Sequence, residues 1–591
     1  MTTLQAPADR VATVDPVTLE LVRTGLQAIP DLIEVDITRT AFTPGIYEYK
    51  DFAVGIVDAE GKSVALAQRG LPAFLTNALG LAIRDGVEIH GLTGIEEGDV
   101  LVTNHAATMG QHLNNVVMYT PIMGRAGRPV AFMAVTVHWI DIGGKVPGSA
   151  WGTDNTELAQ EGLQLRSVKL YRRGEPVDDI FRIVRYNTRQ QEALFGDIAA
   201  QHAGCLKGRR LFEGLLARYG EDTVFAAIHQ IWASTEAAAY EAVRAVPPGS
   251  YRAECFLDDD GVTIGQHLPL NITVHIRDGE FVVDYTEIAD QVKGPFNSGH
   301  FEGAVTTANI AFKYLFSPED PSNEGSFAPV RVVIPEGKLL SAREGAAMGL
   351  YQTPLAAATD VVIAAMAPAA PERVAAGHFG AHGVYGFSGQ DALGRYFNFF
   401  DTLHGGWGAS IHGDGVGPFK TLRHADNRDI PAETVEALYP VVVERCLLRI
   451  DSAGPGRHRG GLGIAKTFRA TGPCIFNAAF DRLDCPPWGL NGGRSALPQY
   501  AEIERADGSR AAVRKTVGIE LARGDKVHIY SGGGGGYGPP LERDPESVRR
   551  DVALGFVSRE AAGRDYGVVL RDDGAVDAAA TAALRGKMGP K

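Results

Sequence analysis

Cysteine is scarce in this 591-residue chain: Cys205, Cys255, Cys446, Cys474 and Cys485 are scattered and form no CxxC pair. That excludes a thiolate zinc site and suits a reducing compartment, so a cytoplasmic protein is expected. No run of 18 apolar residues occurs, and the opening stretch "MTTLQAPADRVATVDP" has no apolar centre. Neither a membrane span nor a secretory leader is expected. Basic charge is also short, with 57 Lys and Arg against 71 Asp and Glu and a net charge of −14. With no basic run and no interleaving of bases with aromatics, nucleic acid is not an expected partner. No G-x-S-x-G elbow is present, which leaves serine-hydrolase chemistry without a foothold. "SGGGGGYGPP" (531–540) lacks both the GK[ST] of a phosphate loop and the strand-to-helix setting of a dinucleotide site. It reads as a flexible or tightly turning loop.

The chain has ample material for cores, with 45% hydrophobic residues and 71 glycines. Its length predicts two to four domains or one large interwoven unit. Asp15-Pro16 caps a first helix carrying Leu19, Val22, Leu26 and Ile29 at helical spacing, and Pro30 predicts a kink or break. "DFAVGIVDAEGKSVALA" reads as two strands about an Asp58–Gly61 turn, and "DVLVTNH", "NVVMYTPIM" and "PVAFMAVTVHWIDIGG" as further strands. Two long helical patterns follow, the first ending on Gly220, and suggest a helical hairpin. Strands return with an Asp278-Gly279 turn, then helices over 302–315 and 354–366, then a β-rich last third closed by short helices. The fold expected is a mixed α/β (α+β) multi-domain protein. Its regions are a β-rich metal-binding part (1–186), a helical hairpin (187–250), a central α/β part with Gly/His-rich loops (251–438) and a β-rich C-terminal part (439–591).

Candidate chemistry concentrates in the first third. His112 precedes a predicted strand, His138 ends another, Asp141 follows three residues on, and Asp51 begins a strand. Side chains at strand ends converge on a cleft while the strands fix their position. Two imidazoles and a carboxylate suit a divalent Zn, Mn or Fe-type ion with open positions. A lone histidine beside a strand is more often a hydrogen-bonded structural residue, and the spacing alone is weak evidence for a metal. A second set, His378, His382, His404 and His412, is threaded through glycines and reads more simply as tight turns at an interface. "GRHRGGLG" (456–463) reads as an anion-binding loop or a charged surface turn.

These segments appear in a familiar order: "DPVTLELVRTGL", "RTAFTPGIYEYKDFAVGIVDAEGKSVA", "GQHLNNVVMYTPIM", "HWIDIGGKVPGSAWGTDNTELAQEGLQL", "VKLYRRGEP" and "RHRGGLG". The chain resembles the hydantoinase B/oxoprolinase family over residues 15–570, specifically the B-type subunit of ATP-dependent hydantoinases, caprolactamase and 5-oxoprolinase. Acetone and acetophenone carboxylases carry a related subunit. The resemblance implies an ATP-dependent enzyme acting on a cyclic amide or imide. It implies a separate A-type subunit that binds ATP and Mg, a hetero-oligomer, and a divalent metal (Mn, Zn or Fe) on this chain at Asp51, His112 and His138. Many relatives read HLPD where this chain has Asn115, so the site is one negative charge poorer unless Asp141 or another acid compensates. HLNN is also a family variant, so the position does not signal inactivation. Asn115 is a candidate ligand, and Glu34 and Asp36 are candidate acids nearby.

The mechanism so implied is a carbonyl phosphorylated on the A subunit, then attacked by hydroxide from a metal-bound water, with Asp51 or Glu34 taking the proton. The intermediate would reach this chain through a buried channel at the A–B interface. Two other readings fit the resemblance: a subunit of an ATP-dependent ketone carboxylase, and a non-catalytic scaffold for the A subunit.

Overall fold

The computed structural model describes residues 13–589, apart from 76, 150, 381, 392 and 426. The first helix, Pro16–Thr40, starts as expected, with the Asp15 side chain accepting from the backbone of Val17 and Thr18. The expected break at Pro30 does not occur, and the helix runs through it. Its stripe Val22, Leu26, Ile29, Ile33 and Ile37 is buried against the helix Gln191–Tyr219 and the first two strands. Burial of about five large side chains outweighs the roughly 3 kcal/mol that an interior proline costs.

Seven strands form one antiparallel sheet: β1 (Phe52–Asp58), β2 (Ser63–Leu66), β3 (Val100–Thr103), β4 (Asn115–Met123), β5 (Pro129–His138), β6 (Val168–Arg172) and β7 (Glu175–Pro176). Their spatial order is β2-β1-β5-β4-β3-β6-β7. The Asp58 carboxylate accepts from the backbone of Glu60 and Lys62, and Gly61 takes φ 80°, which makes the β1–β2 turn. Both faces of the sheet are covered. Phe52, Val54 and Ile56 face the core shared with the first helix, while Ala53 and Val57 face the helix Ala78–His90. This is why β1, β4 and β5 read as continuous apolar runs rather than as an alternation.

The hairpin helices are Gln191–Tyr219 and Glu221–Arg244, turning at Gly220 with φ 83°. From the first of them Gln201 reaches into the sheet, donating to the carbonyls of Val116 and Val135 and accepting from the Trp139 indole. The central part holds a four-stranded sheet and the helices Gly303–Phe316 and Gln352–Ala365, close to the expected spans. The C-terminal half is built on a four-stranded and a five-stranded sheet and ends in three short helices between Pro545 and Met588. Two of the scattered cysteines meet: Cys255 and Cys485 are free thiols with Sγ atoms 3.4 Å apart.

The glycine loop 531–540 is neither flexible nor a nucleotide site. Gly532 to Gly536 are buried against the backbone of other glycine-rich segments. A Cβ on Gly535 would lie 1.8 Å from the Trp488 carbonyl oxygen, and one on Gly534 would lie 2.0 Å from that of Trp407. Backbone meets backbone there, and no side chain fits. Gly535→Ala is therefore expected to destabilise by about 2 kcal/mol or more. Gly214→Ala, in a helix interior with open space around it, is expected to stabilise by about 0.5–1 kcal/mol. Thermal unfolding of the two variants beside the parent chain checks the pair, and an unchanged midpoint for Gly535→Ala refutes the packing argument.

Candidate active site

The sheet order places the ends of three strands side by side. In β4 and β5, Asn115 pairs directly with His138. On the other side of β5, Phe52 pairs with Val137, and the His138 N–H donates to the Asp51 carbonyl at 3.1 Å. Asp51, His138 and Asn115 thus lie along one edge in the order β1-β5-β4. His112 enters from the loop before β4, its ring 5.2 Å from that of His138. Gly110, with φ 62°, lets this loop approach Glu302, since a Cβ there would lie 2.6 Å from the Glu302 Cβ.

A further set of side chains arrives from the rest of the chain. Tyr351 precedes the helix Gln352–Ala365, with its ring 5.2 Å from His112. His382 and His424 stack on each other at 4.4 Å, and the Arg423 guanidinium carbon sits 5.1 Å from the centre of the Tyr351 ring. Trp151 and Phe400 wall His138, Phe400 at 5.0 Å. All of these side chains are buried, and Arg423 is 1% exposed.

Burial sets the protonation states. It lowers the pKa of His112 to about 4 and drives His138, His382 and His424 well below their ordinary value, so the imidazoles are neutral at pH 7. Burial raises the Asp51 carboxyl to about 7, opposed by the charge of Arg423. Glu302 is also raised to about 7 by burial, held back by Thr306, Asn77, Arg423 and Gln111. The Gln111 amide nitrogen acts on that carboxyl without reaching hydrogen-bonding geometry.

The hydrogen bonds of His112 carry the clearest chemical signal. Its Nδ1 lies 3.1 Å from the Gly349 carbonyl and so donates to it, which leaves a lone pair on Nε2 in the neutral ring. That Nε2 faces Asn115 Oδ1 at 3.0 Å. The amide orientation is fixed by Asn115 Nδ2, which donates to Gln111 Oε1 and to the Tyr351 hydroxyl. Two lone pairs therefore point at one another. Beside them both ring nitrogens of His138 are buried with no hydrogen-bond partner. A cation between these atoms resolves both conflicts, and a gap of 3.0 Å suits two adjacent ligands on one ion with bonds of about 2.1 Å. The donor set of two neutral imidazoles and an amide oxygen, next to the Asp51 carboxyl, fits a divalent ion. Among the described residues, no three His, Cys, Asp or Glu side chains gather closely enough to hold one by themselves.

Behind His112 stands Glu161, fully buried. One of its oxygens accepts from the backbone N–H groups of Met348 and Gly349 at 2.6 and 2.7 Å. It thereby holds the backbone N–H of the residue whose carbonyl orients the His112 ring.

Other candidates lie elsewhere. Asp141 was expected as a ligand or as the compensating acid. Instead its oxygens pair with Arg189 at 2.8 Å and accept from the backbone of Gly148 and Arg189, anchoring the loop after β5. Glu34 faces Lys50 at 4.0 Å and lines an open cleft with Asp31, Arg39 and Arg69, none of which belongs to the histidine cluster. Asp36 pairs with Lys207 on the hairpin. Of the glycine-threaded histidines only His382 joins the cluster. His378 stacks on Trp407, His404 pairs with Asp429 at 2.9 Å, and His412 lies near Glu372 at the surface. "RHRGGLG" is already satisfied from within: Asp414 accepts from the Arg459 N–H and from Arg543, and Asp551 pairs with both arginines. The sequence reading missed Arg423, His424, Tyr351, Glu302 and Glu161. Of these only Glu161 lies in one of the segments that carry the resemblance, and the only signal of the others was polarity inside apolar or glycine-rich surroundings.

The comparisons with known proteins agree with this architecture. The family model described as "Hydantoinase B/oxoprolinase" matches residues 15–540, and the chain belongs to that family. The caprolactamase subunit beta of Pseudomonas jessenii is 30% identical over 97% of this chain and 99% of its own. The 5-oxoprolinase 1 of Arabidopsis thaliana is 28% identical over 90% of this chain, which corresponds to 42% of that longer polypeptide. The crystal structure of the ATP-dependent caprolactamase from P. jessenii superposes with a TM-score of 0.88 at 29% identity, covering 97% of this chain and 100% of that one. A nucleotide-free acetone carboxylase shares the fold, with a TM-score of 0.88 at 19% identity over 97% of this chain and 83% of that one. No helix among the described residues is long and apolar enough to cross a membrane.

The Glu161 carboxyl gives a pH test. Burial raises it from an ordinary 4.5 to about 8. The folded chain then holds this proton more tightly than the unfolded chain. The contribution to stability is full below pH 4.5 and is lost as the pH rises through 8. Glu161→Gln removes the titration while keeping an oxygen for both N–H groups. The variant is expected to unfold at the same temperature as the parent at pH 4 and at a higher one at pH 9. Equal midpoints at both pH values would show that Glu161 is not held protonated.

Proposed function

We propose that this chain is the B-type subunit of an ATP-dependent enzyme that hydrolyses a cyclic amide or imide, of the hydantoin, lactam or 5-oxoproline kind. In this reading it works with an A-type subunit that uses ATP and Mg to phosphorylate the ring carbonyl. The observation that carries the reading is the facing pair His112 Nε2 and Asn115 Oδ1 beside the unpartnered His138, in a chain whose full-length relative at 30% identity is a caprolactamase subunit. Hydrolysis is favoured over ketone carboxylation because the likeness to acetone carboxylase is one of fold.

His112 and His138 would hold a divalent Mn, Zn or Fe ion together with the Asn115 oxygen, with the Asp51 carboxyl as a further candidate ligand. When bound, that ion supplies a water whose pKa is brought toward neutrality. The remaining work falls to the protein. Glu161 and the Gly349 carbonyl fix the His112 tautomer so that Nε2 presents its lone pair. Gln111 and Tyr351 fix the Asn115 amide with its oxygen turned to the same point. Trp151 and Phe400 exclude bulk water from His138. Glu302, near pH 7 and with one oxygen lacking a hydrogen-bond partner, is placed to take and return a proton at neutral pH. Asp51 has a matching pKa when it is not a ligand.

Elemental analysis of the purified chain beside His112→Ala and His138→Ala tests the site. About one Mn, Zn or Fe per chain is expected in the parent and a loss of most of it in each variant, since every remaining ligand is weak alone. Asn115→Asp adds a charge and is expected to hold the ion at least as tightly. ATP-dependent ring opening with the A-type subunit should follow the metal content. A parent chain that takes up none of these ions and opens no ring would overturn the reading in favour of a scaffolding role. Strict bicarbonate dependence with a keto-acid product would turn it to carboxylation.

A further inference from the structure

Arg423 is a buried cation of the site that none of the hydrogen bonds or ion pairs above uses. It is 1% exposed, and Nε, Nη1 and Nη2 all lack a partner in hydrogen-bonding geometry among the described residues, although the guanidinium acts on the Tyr351 hydroxyl from close by. The other buried basic groups are paired, as Lys420 is with Asp401 at 2.8 Å and Lys515 is with Asp259 at 3.0 Å. A guanidinium taken out of water with its donors unused is costly, and such groups persist where a ligand completes them. Asp51 and Glu302 lie close enough to feel its charge, but Arg423 forms no ion pair with a carboxylate among the described residues, and the stacked rings of His382 and His424 stand beside it. His382 also presents an Nδ1 without a partner. The site therefore offers a planar fork of donors, a fixed positive charge and a second unpartnered ring nitrogen.

The same segment also borders an open cleft. Leu422 and Ala425, which flank Arg423 and His424, line a cleft of about 490 Å³ together with Trp407, Tyr314 and Lys313. Residues 422–425 thus form a wall with apolar groups facing the cleft and the guanidinium facing the histidines.

We propose that Arg423, with His382 beside it, is an oxyanion receptor for the phosphoryl group, carried in on the activated carbonyl and released as phosphate. This rests on the proposed function above and adds to it the group that recognises the activated substrate. An arginine fork matches the oxygens of a phosphate in a way a point charge does not. The placement next to His112 also explains how a buried cation and a metal ion share one cavity, because the anion lies between them and neutralises both.

The test is binding of inorganic phosphate to the metal-loaded chain, by titration calorimetry and by the rise in unfolding temperature it produces. About one phosphate per chain is expected. Arg423→Met should weaken binding by about tenfold or more and abolish the thermal shift, with Arg423→Lys intermediate. Metal content should stay unchanged in both variants. Undiminished phosphate binding in a folded Arg423→Met chain, or none in the parent, would overturn the proposal. If the Met variant does not fold, the Arg423→Lys thermal shift decides, and a full parental shift counts against it. Bicarbonate binding more tightly than phosphate would overturn the phosphoryl assignment. A chain that binds phosphate through Arg423 but no metal would sink the metal reading and leave this receptor standing. Bound metal without phosphate would do the reverse.

Discussion

The pairing of Asn115 with His138 across β4 and β5 is the constraint on which the rest of the site depends. Antiparallel register has a period of two, so a slip of one residue would send His138 and Asn115 to opposite faces. That register is held from several sides. Gln201 clamps the carbonyls of Val116 and Val135, the Asn114 amide donates to the Trp139 carbonyl, and helices bury both faces of the sheet. The strands are rigid, and the catalytic candidates sit where they end.

Burial then does the electrostatic work. With water excluded, the charged forms of histidines and carboxyls are both disfavoured, so at pH 7 the cluster holds neutral imidazoles and two carboxyls whose pKa values are raised to about 7. The same burial leaves Arg423 as a fixed charge with unused donors. Under the proposals above, a cation and an anion bound together would offset each other's charge in this low-dielectric interior.

The glycine-rich half serves a different end. Gly406, Gly461 and Gly534 bring three chain segments to backbone contact around Trp407, whose ring stacks on His378 and whose indole donates to the Lys420 carbonyl. Lys420 opens the segment that carries Arg423 and His424. The dense packing thus positions, from far along the chain, the residues that close the site.

Much of the scaffold was legible in the sequence because it rests on local physics. Capping at Asp15, the DAEG turn, the continuous apolar strands and the two hairpin helices all follow from residue type and period. So did the approach of His112, His138 and Asp51, since strand ends collect functional side chains. Pro30 does not end the helix, because tertiary burial overrides its local breaking signal. Asp141 misled because proximity in sequence to His138 says nothing of which face a loop residue takes, and Arg189, 48 residues on, claimed it. Arg423, His424, Glu302 and Tyr351 left no local mark. They are brought to His112 by contacts spanning as many as 237 residues, as between His112 and the Gly349 carbonyl next to Tyr351. The sequence by itself determined which segments are rigid and which residues end them. Only the tertiary structure decided which distant charges those ends would face, because that depends on strand order and burial, which no short stretch of sequence contains.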